Sequence, residues 1–289
     1  MIRRIVFLAC LLLAAPAQAA AIRMVDDAGR TLELERPPQR IVSLTPHLTE
    51  LLFAAGAGEQ VVGVDSASDY PEAATMLPRV GDYSRINFER ILALKPDLVV
   101  VWVGGNRAAD IHGLEKLGLP VLHTQATRLA DVARLLRLIG QASGHAGEGE
   151  GAARDFSARL AALRVQATRR PPVGVFYQVW GQPLMTVGGQ HWISDALALC
   201  GARNVFADLR AVSPVVSREA VLRRAPALIV SGSDAPDVRR QWQRFSGLPA
   251  VKNQAFVRLD ADRLHRPAPR LIEGVAALCA AGAPWRLSQ

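Results

Sequence analysis

The chain has 289 residues, half of them hydrophobic and 21% charged, with a formal net charge of +8. That length accommodates one large domain or two of medium size. The basic balance invites a nucleic-acid reading, but the arginines are scattered, with no basic run longer than a pair such as Arg169 and Arg170, so most of them read as a solvated surface.

The amino-terminal segment carries the marks of an exported protein. Arg3 and Arg4 precede an apolar run over residues 5–15, Pro16 breaks it, and Ala17, Gln18 and Ala19 supply the small-x-small pattern of a cleavage site. The run is shorter than the roughly 20 residues that a bilayer-spanning helix needs. Cys10 lies inside the run, whereas an acylated cysteine would follow it. The expectation is a leader over residues 1–19, cleaved after Ala19, and a mature chain of about 270 residues in the periplasm, where nucleic acid is not a partner. Cys200 and Cys279 then remain, an even pair in a disulfide-permissive compartment. A bridge between them would close a loop of about 80 residues, worth about 4.5 kcal/mol in the chain-entropy argument; the alternative is two buried free thiols.

From residue 40 onward, short β-branched runs alternate with helical patterns, which predicts an α/β architecture. Residues 40–44 read as a strand. Helix-period apolar residues Leu48, Leu51, Leu52 and Ala55 follow, with Gly56 as the stop. Residues 61–64, 98–102 and 121–124 are the next strands, and the long connections between them predict parallel pairing. Residues 129–141 read as a helix with Val132, Leu135, Leu136 and Ile139 on one face. After a break at residues 143–147, a second helical stretch runs over about residues 148–168 and stops at Pro171 and Pro172. It is more polar than its neighbours and holds no strand. A helix joining two lobes is the simplest reading; a surface helix of one larger domain is the other. The alternation then restarts, with strands at 173–177 and 227–231, a helix at 192–199 and helical composition over 269–281.

An internal repeat supports two lobes: residues 87–100 align with residues 217–230 at an offset of 130. In each copy an acidic residue, Glu89 or Glu219, opens a short helix, a proline ends it, and an apolar strand follows. Each glutamate is either a helix-start carboxylate or one half of a two-point acidic contact on one face of a bilobed molecule.

Signatures of catalysis are missing. The sequence has no Gly-x-Ser-x-Gly elbow, no Walker loop and no His-Glu-x-x-His helix. Gly56 and Gly58 follow a helix, the wrong context for a dinucleotide fingerprint. His47, His112, His123, His145, His191 and His265 show no pair at metal-ligand spacing. Neither enzyme activity, a metal site nor a cofactor is expected. What remains are aromatic residues at loop positions. Tyr70 sits in a turn with Ser68, Asp69 and Pro71, and Tyr83 follows Asp82 in the next loop. Trp102 ends the strongest strand and runs into Gly104, Gly105 and Asn106. Residues at the carboxyl ends of parallel strands face the ligand crevice, so these aromatics form a candidate stacking surface for a flat ligand.

On these residues the chain resembles the helical-backbone (class III) substrate-binding protein family, whose members receive cobalamin, haem and iron–siderophore complexes. The similarity is colinear over roughly residues 40–279 and is densest at residues 68–71, 87–100, 102–106, 199–206, 216–219 and 262–270. The resemblance implies an α/β fold of two lobes, each with a mostly parallel sheet flanked by helices, joined by one long backbone helix. The lobes would span residues 20–146 and 171–289, with the interlobe helix at 147–170. It implies a monomer that delivers cobalamin or a related corrinoid to an inner-membrane ABC permease with two transmembrane subunits; a ferric siderophore or haem is the alternative cargo. Carried over by position, Tyr70 and Trp102 would line the corrin, with Tyr83 and Met185 in the same cleft, and Asp262 and Arg266 would make polar contacts from the second lobe. Glu89 and Glu219 would meet arginines on the two permease subunits, and Cys200 and Cys279 fall where the family has its disulfide. Three positions depart from the corrinoid-receptor pattern. Tyr83 and Ser213 stand where it has tryptophans and Met185 where it has a phenylalanine, which removes stacking surface; Trp180, close in sequence, is a candidate replacement. For an iron-containing cargo, His47 at a helix start is a candidate ligand beside its structural reading.

Overall fold

The computed structural model describes residues 21–165, 172–232 and 237–287. The expected leader, and the last residues of the expected interlobe helix, lie outside the described residues. The chain opens with an antiparallel hairpin of β1 (Ile22–Val25) and β2 (Thr31–Leu34). Then come β3 (Ile41–Ser43), β4 (Val61–Val64), β5 (Leu98–Trp102) and β6 (Val121–Thr124), which form a parallel sheet in the order β4-β3-β5-β6. After the long helix, β7 (Val173–Gln178) is followed by a short hairpin of β8 (Trp180–Gly181) and β9 (Leu184–Met185). β10 (Ala202–Asn204), β11 (Leu228–Gly232) and β12 (Phe256–Leu259) join β7 in a second parallel sheet, ordered β10-β7-β11-β12. In both sheets the first strand lies between the second and the third, so each lobe has the same reversal of crossover direction. A crevice opens outside the carboxyl ends of the strands at such a point.

The unbroken apolar run of β5 follows from burial on both faces. Leu98 and Val100 join one core cluster, while Val99 and Val101 join another beneath the opposite face. The larger cluster is continuous from Leu51 and Leu98 through Leu135 and Phe156 to Phe176 and Leu271, so the two sheets share one core.

The long helix spans Ala146–Val165 in the described residues. Gly144, at φ 84°, ends the preceding helix, Asp131–Ser143, in the left-handed conformation. The two helices pack closely at Gly140 and Gly149. A Cβ on Gly149 would lie 2.6 Å from the Leu136 carbonyl oxygen, so a side chain there would force the helices apart. Ala153, Phe156 and Leu160 form the buried stripe, and the charged residues between them stay in solvent, which explains the polar look of the segment.

Both copies of the repeat fold alike. Asn87 accepts from the Arg90 amide at 2.9 Å and caps the helix Phe88–Ala93; Ser217 accepts from the Ala220 amide at 3.1 Å and caps Arg218–Arg224. Cys200 and Cys279 are bridged, with Cα atoms 4.7 Å apart, which settles the choice left open by their number. The bond ties the end of the helix Trp192–Leu199 to the helix Leu271–Leu287.

Candidate functional site

The carboxyl end of β5 meets the second lobe through two tryptophans. Trp102 lies 6.0 Å from Trp192, centroid to centroid, and His47 stands edge-on to it at 5.1 Å. The loop after β5 is shaped around the indole. A Cβ on Gly105 would fall 2.1 Å from the Trp102 ring, so only glycine lets the backbone pass there. Asn106 accepts from the Trp102 amide at 2.8 Å and donates to the Leu44 carbonyl at 3.1 Å, which pins the loop to the sheet. The Trp102 Nε1 has no partner among the described residues, and neither has the Gln125 Oε1; both border Gly104. His47 is buried and neutral: burial, helped by the charge of Arg266, pushes its pKa down to about 3.

Beside the tryptophans an ion cluster joins the lobes. Glu50, buried in the helix Pro46–Ala54, receives both Arg270 Nη2 at 2.6 Å and Arg270 Nε at 2.9 Å, a bidentate pair, and Arg266 Nη1 at 3.2 Å. Arg266 also reaches Asp69 at 2.5 Å, the Ala67 carbonyl at 3.4 Å and Asp262 at 2.8 Å. Chiefly through that Arg266 hydrogen bond, the Asp69 carboxyl is held below its ordinary pKa. The Arg270 guanidinium lies 3.9 Å above the ring of Tyr70. A buried hydroxyl chain fixes the turn that carries Asp69 and Tyr70: the Thr49 and Ser68 oxygens are 2.8 Å apart, and Ser68 donates to Asp65 at 2.5 Å.

The rim is aromatic on both sides. Tyr70 is 45% exposed and Tyr83, at the tip of a turn closed by Asp82, is 85% exposed. In the second lobe Trp180 pairs with Met185 across the β8–β9 hairpin, and Met185 bridges Val215, so the three side chains share one face. Trp180 is 49% exposed and Met185 half-buried, and Ser213 is exposed two residues before Val215. Trp180 therefore stands beside Met185, one of the three departing positions.

Of the six expected ligand residues, the structure links three across the lobes, Tyr70, Asp262 and Arg266, through the Arg270–Glu50–Arg266 cluster; Trp102 stands against His47 and Trp192. Tyr83 stands apart at its loop tip, and Met185 belongs to the Trp180 face. Glu89 and Glu219 are exposed at the second helical position of the equivalent helices. Glu89 borders a cavity of about 830 Å³ with Asp82, Arg85 and Arg107. Its own backbone amide and Ser217 hold the Glu219 carboxyl below its ordinary pKa. Sequence reasoning missed Glu50, Asp69, Arg270 and Trp192. The helix Pro46–Ala54 reads as one-sided, yet Thr49 and Glu50 are buried as fully as Leu48 and Leu51, which hid the carboxylate. Arg270, four residues after Arg266, was the available signal. Among the described residues no cluster of His, Cys, Asp and Glu could hold a metal ion, and no helix is long and apolar enough to cross a membrane.

Against known proteins, the profile described as periplasmic binding protein matches residues 41–263. The vitamin B12-binding protein of Vibrio cholerae serotype O1 (strain ATCC 39315) is 38% identical over 244 residues, covering 84% of this chain and 88% of that one. The crystal structure of the periplasmic vitamin B12-binding protein of Vibrio cholerae superposes with a TM-score of 0.78 at 37% identity, covering 86% of this chain and 98% of that one. A periplasmic haem-binding protein from Roseiflexus sp. RS-1, in its apo form, gives a TM-score of 0.75 at 27% identity, covering 86% and 99%.

Proposed function

The chain belongs to the periplasmic binding protein family, and from that premise we propose that it carries cobalamin or a related corrinoid to an ABC importer. In this reading the chain is no enzyme: it is exported, holds its cargo without covalent chemistry and needs no cofactor of its own. The lobes are taken as residues 20–146 and 171–289, with the backbone helix at 147–170 and the leader at 1–19. The observation that carries the cargo class is aromatic surface at the rim: Tyr70 on one lobe and Trp180, beside Met185, on the other offer flat, partly exposed apolar surface, and Tyr83 presents a further exposed ring at its loop tip. Asp262, 52% exposed, supplies a polar contact from the second lobe. The relatives' binding of vitamin B12 supports the same assignment.

Glu89 and Glu219 are the contacts to the two transmembrane subunits of the permease, met by a monomer. Their equivalent places on two like lobes support a partner that presents matching sites twice. Calorimetric titration with cyanocobalamin tests the cargo: tight stoichiometric binding is expected, and no heat with no retention of the corrinoid rejects it.

One observation favours haem or a ferric siderophore as the second reading: Tyr70 and Tyr83 leave their rings exposed at the rim, and phenolate oxygen is a ligand for ferric iron. His47 does not serve that role, since it is buried behind Trp102. A spectral titration with haemin separates the two readings.

A further inference from the structure

Between the lobes lies more charge than a passive cleft wall requires. Glu50 has a side chain only 2% exposed, on an N-terminal helix whose other buried neighbours are mostly apolar, and it faces two arginines that come from the other lobe. We propose that Glu50 is the positioning residue of the cleft: by clasping Arg266 and Arg270 it sets the spacing of the lobes and, with it, the cargo that the cleft admits.

The geometry supports a clasp over an incidental ion pair. Arg270 meets Glu50 with both a terminal and its inner nitrogen, at 2.6 and 2.9 Å, an arrangement that fixes direction as well as distance. Arg266 takes the other position on the same carboxylate oxygen and is completed by Asp69 at 2.5 Å. Separating the lobes would strip both arginines of their N-terminal counter-charges and leave Asp262 alone to offset Arg266. Buried ion pairs add little net stability over apolar packing, but they specify register, and register between lobes is what this one controls. The clasp reaches the rim as well, because the same Arg270 guanidinium covers one face of Tyr70. Both terminal nitrogens of Arg266 are occupied by protein acceptors, so in this geometry the residue serves the lobes before it serves a ligand.

The link from lobe spacing to cargo rests on the reading of the cleft as the cargo site, whereas the clasp itself does not. Spin labels on exposed Lys116→Cys and Lys252→Cys, one in each lobe, report the interlobe distance without any ligand. The unsubstituted clasp should give one narrow distribution; Glu50→Gln should broaden it and lengthen its mean, and Arg270→Lys, which keeps charge but loses the fork, should fall between. Asp69→Asn, at a site 58% exposed, carries the same comparison should Glu50→Gln fail to fold. Distributions that coincide with the unsubstituted clasp's overturn the proposal. In a parallel titration with cyanocobalamin, a variant that populates the clasped geometry a tenth of the time should bind about tenfold more weakly. A wild-type protein that retains no corrinoid rejects the cargo assignment, while the distance comparison still decides the clasp.

Discussion

Lys95 and Ala225 share the left-handed backbone conformation, at φ 46° and 43°, each just before the proline that leads into the central strand of its lobe. Both end a helix of the repeat: the Lys95 amide donates to Leu92 at 2.9 Å and the Ala225 amide to Val221 at 3.1 Å. A side chain in this conformation costs about 1–2 kcal/mol, and neither position holds the glycine that would avoid it. Ala225→Gly should therefore raise stability by about 0.5–1 kcal/mol, the strain relieved less the added freedom of the unfolded chain. Urea unfolding midpoints measure it; a destabilised Ala225→Gly protein contradicts the account.

The buried histidines set an acid limit. Burial, the larger cause, pushes both His47 and His191 down to about 3, with Arg266 adding to the first and His265 to the second. The unfolded chain takes up these protons near pH 6.5. Below that value the unfolded state binds more protons than the folded one, so stability is complete above about pH 6.5 and is lost as the pH falls towards 3. Each histidine contributes a slope of about 1.4 kcal/mol per pH unit in that window. His191 also caps a helix by accepting from the Ile193 amide at 3.0 Å, a bond that asparagine can replace. His191→Asn should flatten the slope by about one proton's worth; unfolding free energies followed from neutral pH to about pH 4.5 would show it.

The Cys200–Cys279 bond spans 79 positions and ties two helices of the second lobe. Replacing both cysteines by alanine should cost about 2–5 kcal/mol, most of it through the wider freedom of the unfolded chain. Thermal unfolding with and without reductant measures the loss, and the double variant should then be insensitive to reductant.

Glu89→Ala with Glu219→Ala should leave cargo affinity within about twofold, since both carboxylates are exposed on the helix starts rather than in the cleft. Transport by the reconstituted importer should fall about tenfold or more. Full transport by the double variant removes the docking role.

Much of this architecture was legible in the chain. The strands at residues 61–64, 98–102 and 121–124 match to the residue because both faces are buried, so their apolar runs are unbroken. β10 and β12 were not legible: Ala202–Asn204 and Phe256–Leu259 are partly exposed, unlike the largely buried edge strands β4 and β6, and take their strand form from pairing with β7 and β11. Tyr70 and Trp102 were found because they stand at a recognisable turn and at the end of an unbroken apolar strand, whereas Arg266 was found only through the family resemblance.

By itself the sequence determined the alternation of elements, the two-fold repeat and the pair of equivalent glutamates, all of which depend on residues close together along the chain. Only the tertiary structure decided that Trp102 meets Trp192, that Trp180 stands beside Met185, and that Glu50 holds Arg266 and Arg270 from more than two hundred positions away. Local patterns report which face of an element is apolar. They carry no record of the opposing charge that makes a buried carboxylate tolerable, because that partner is brought in by the packing of the other lobe.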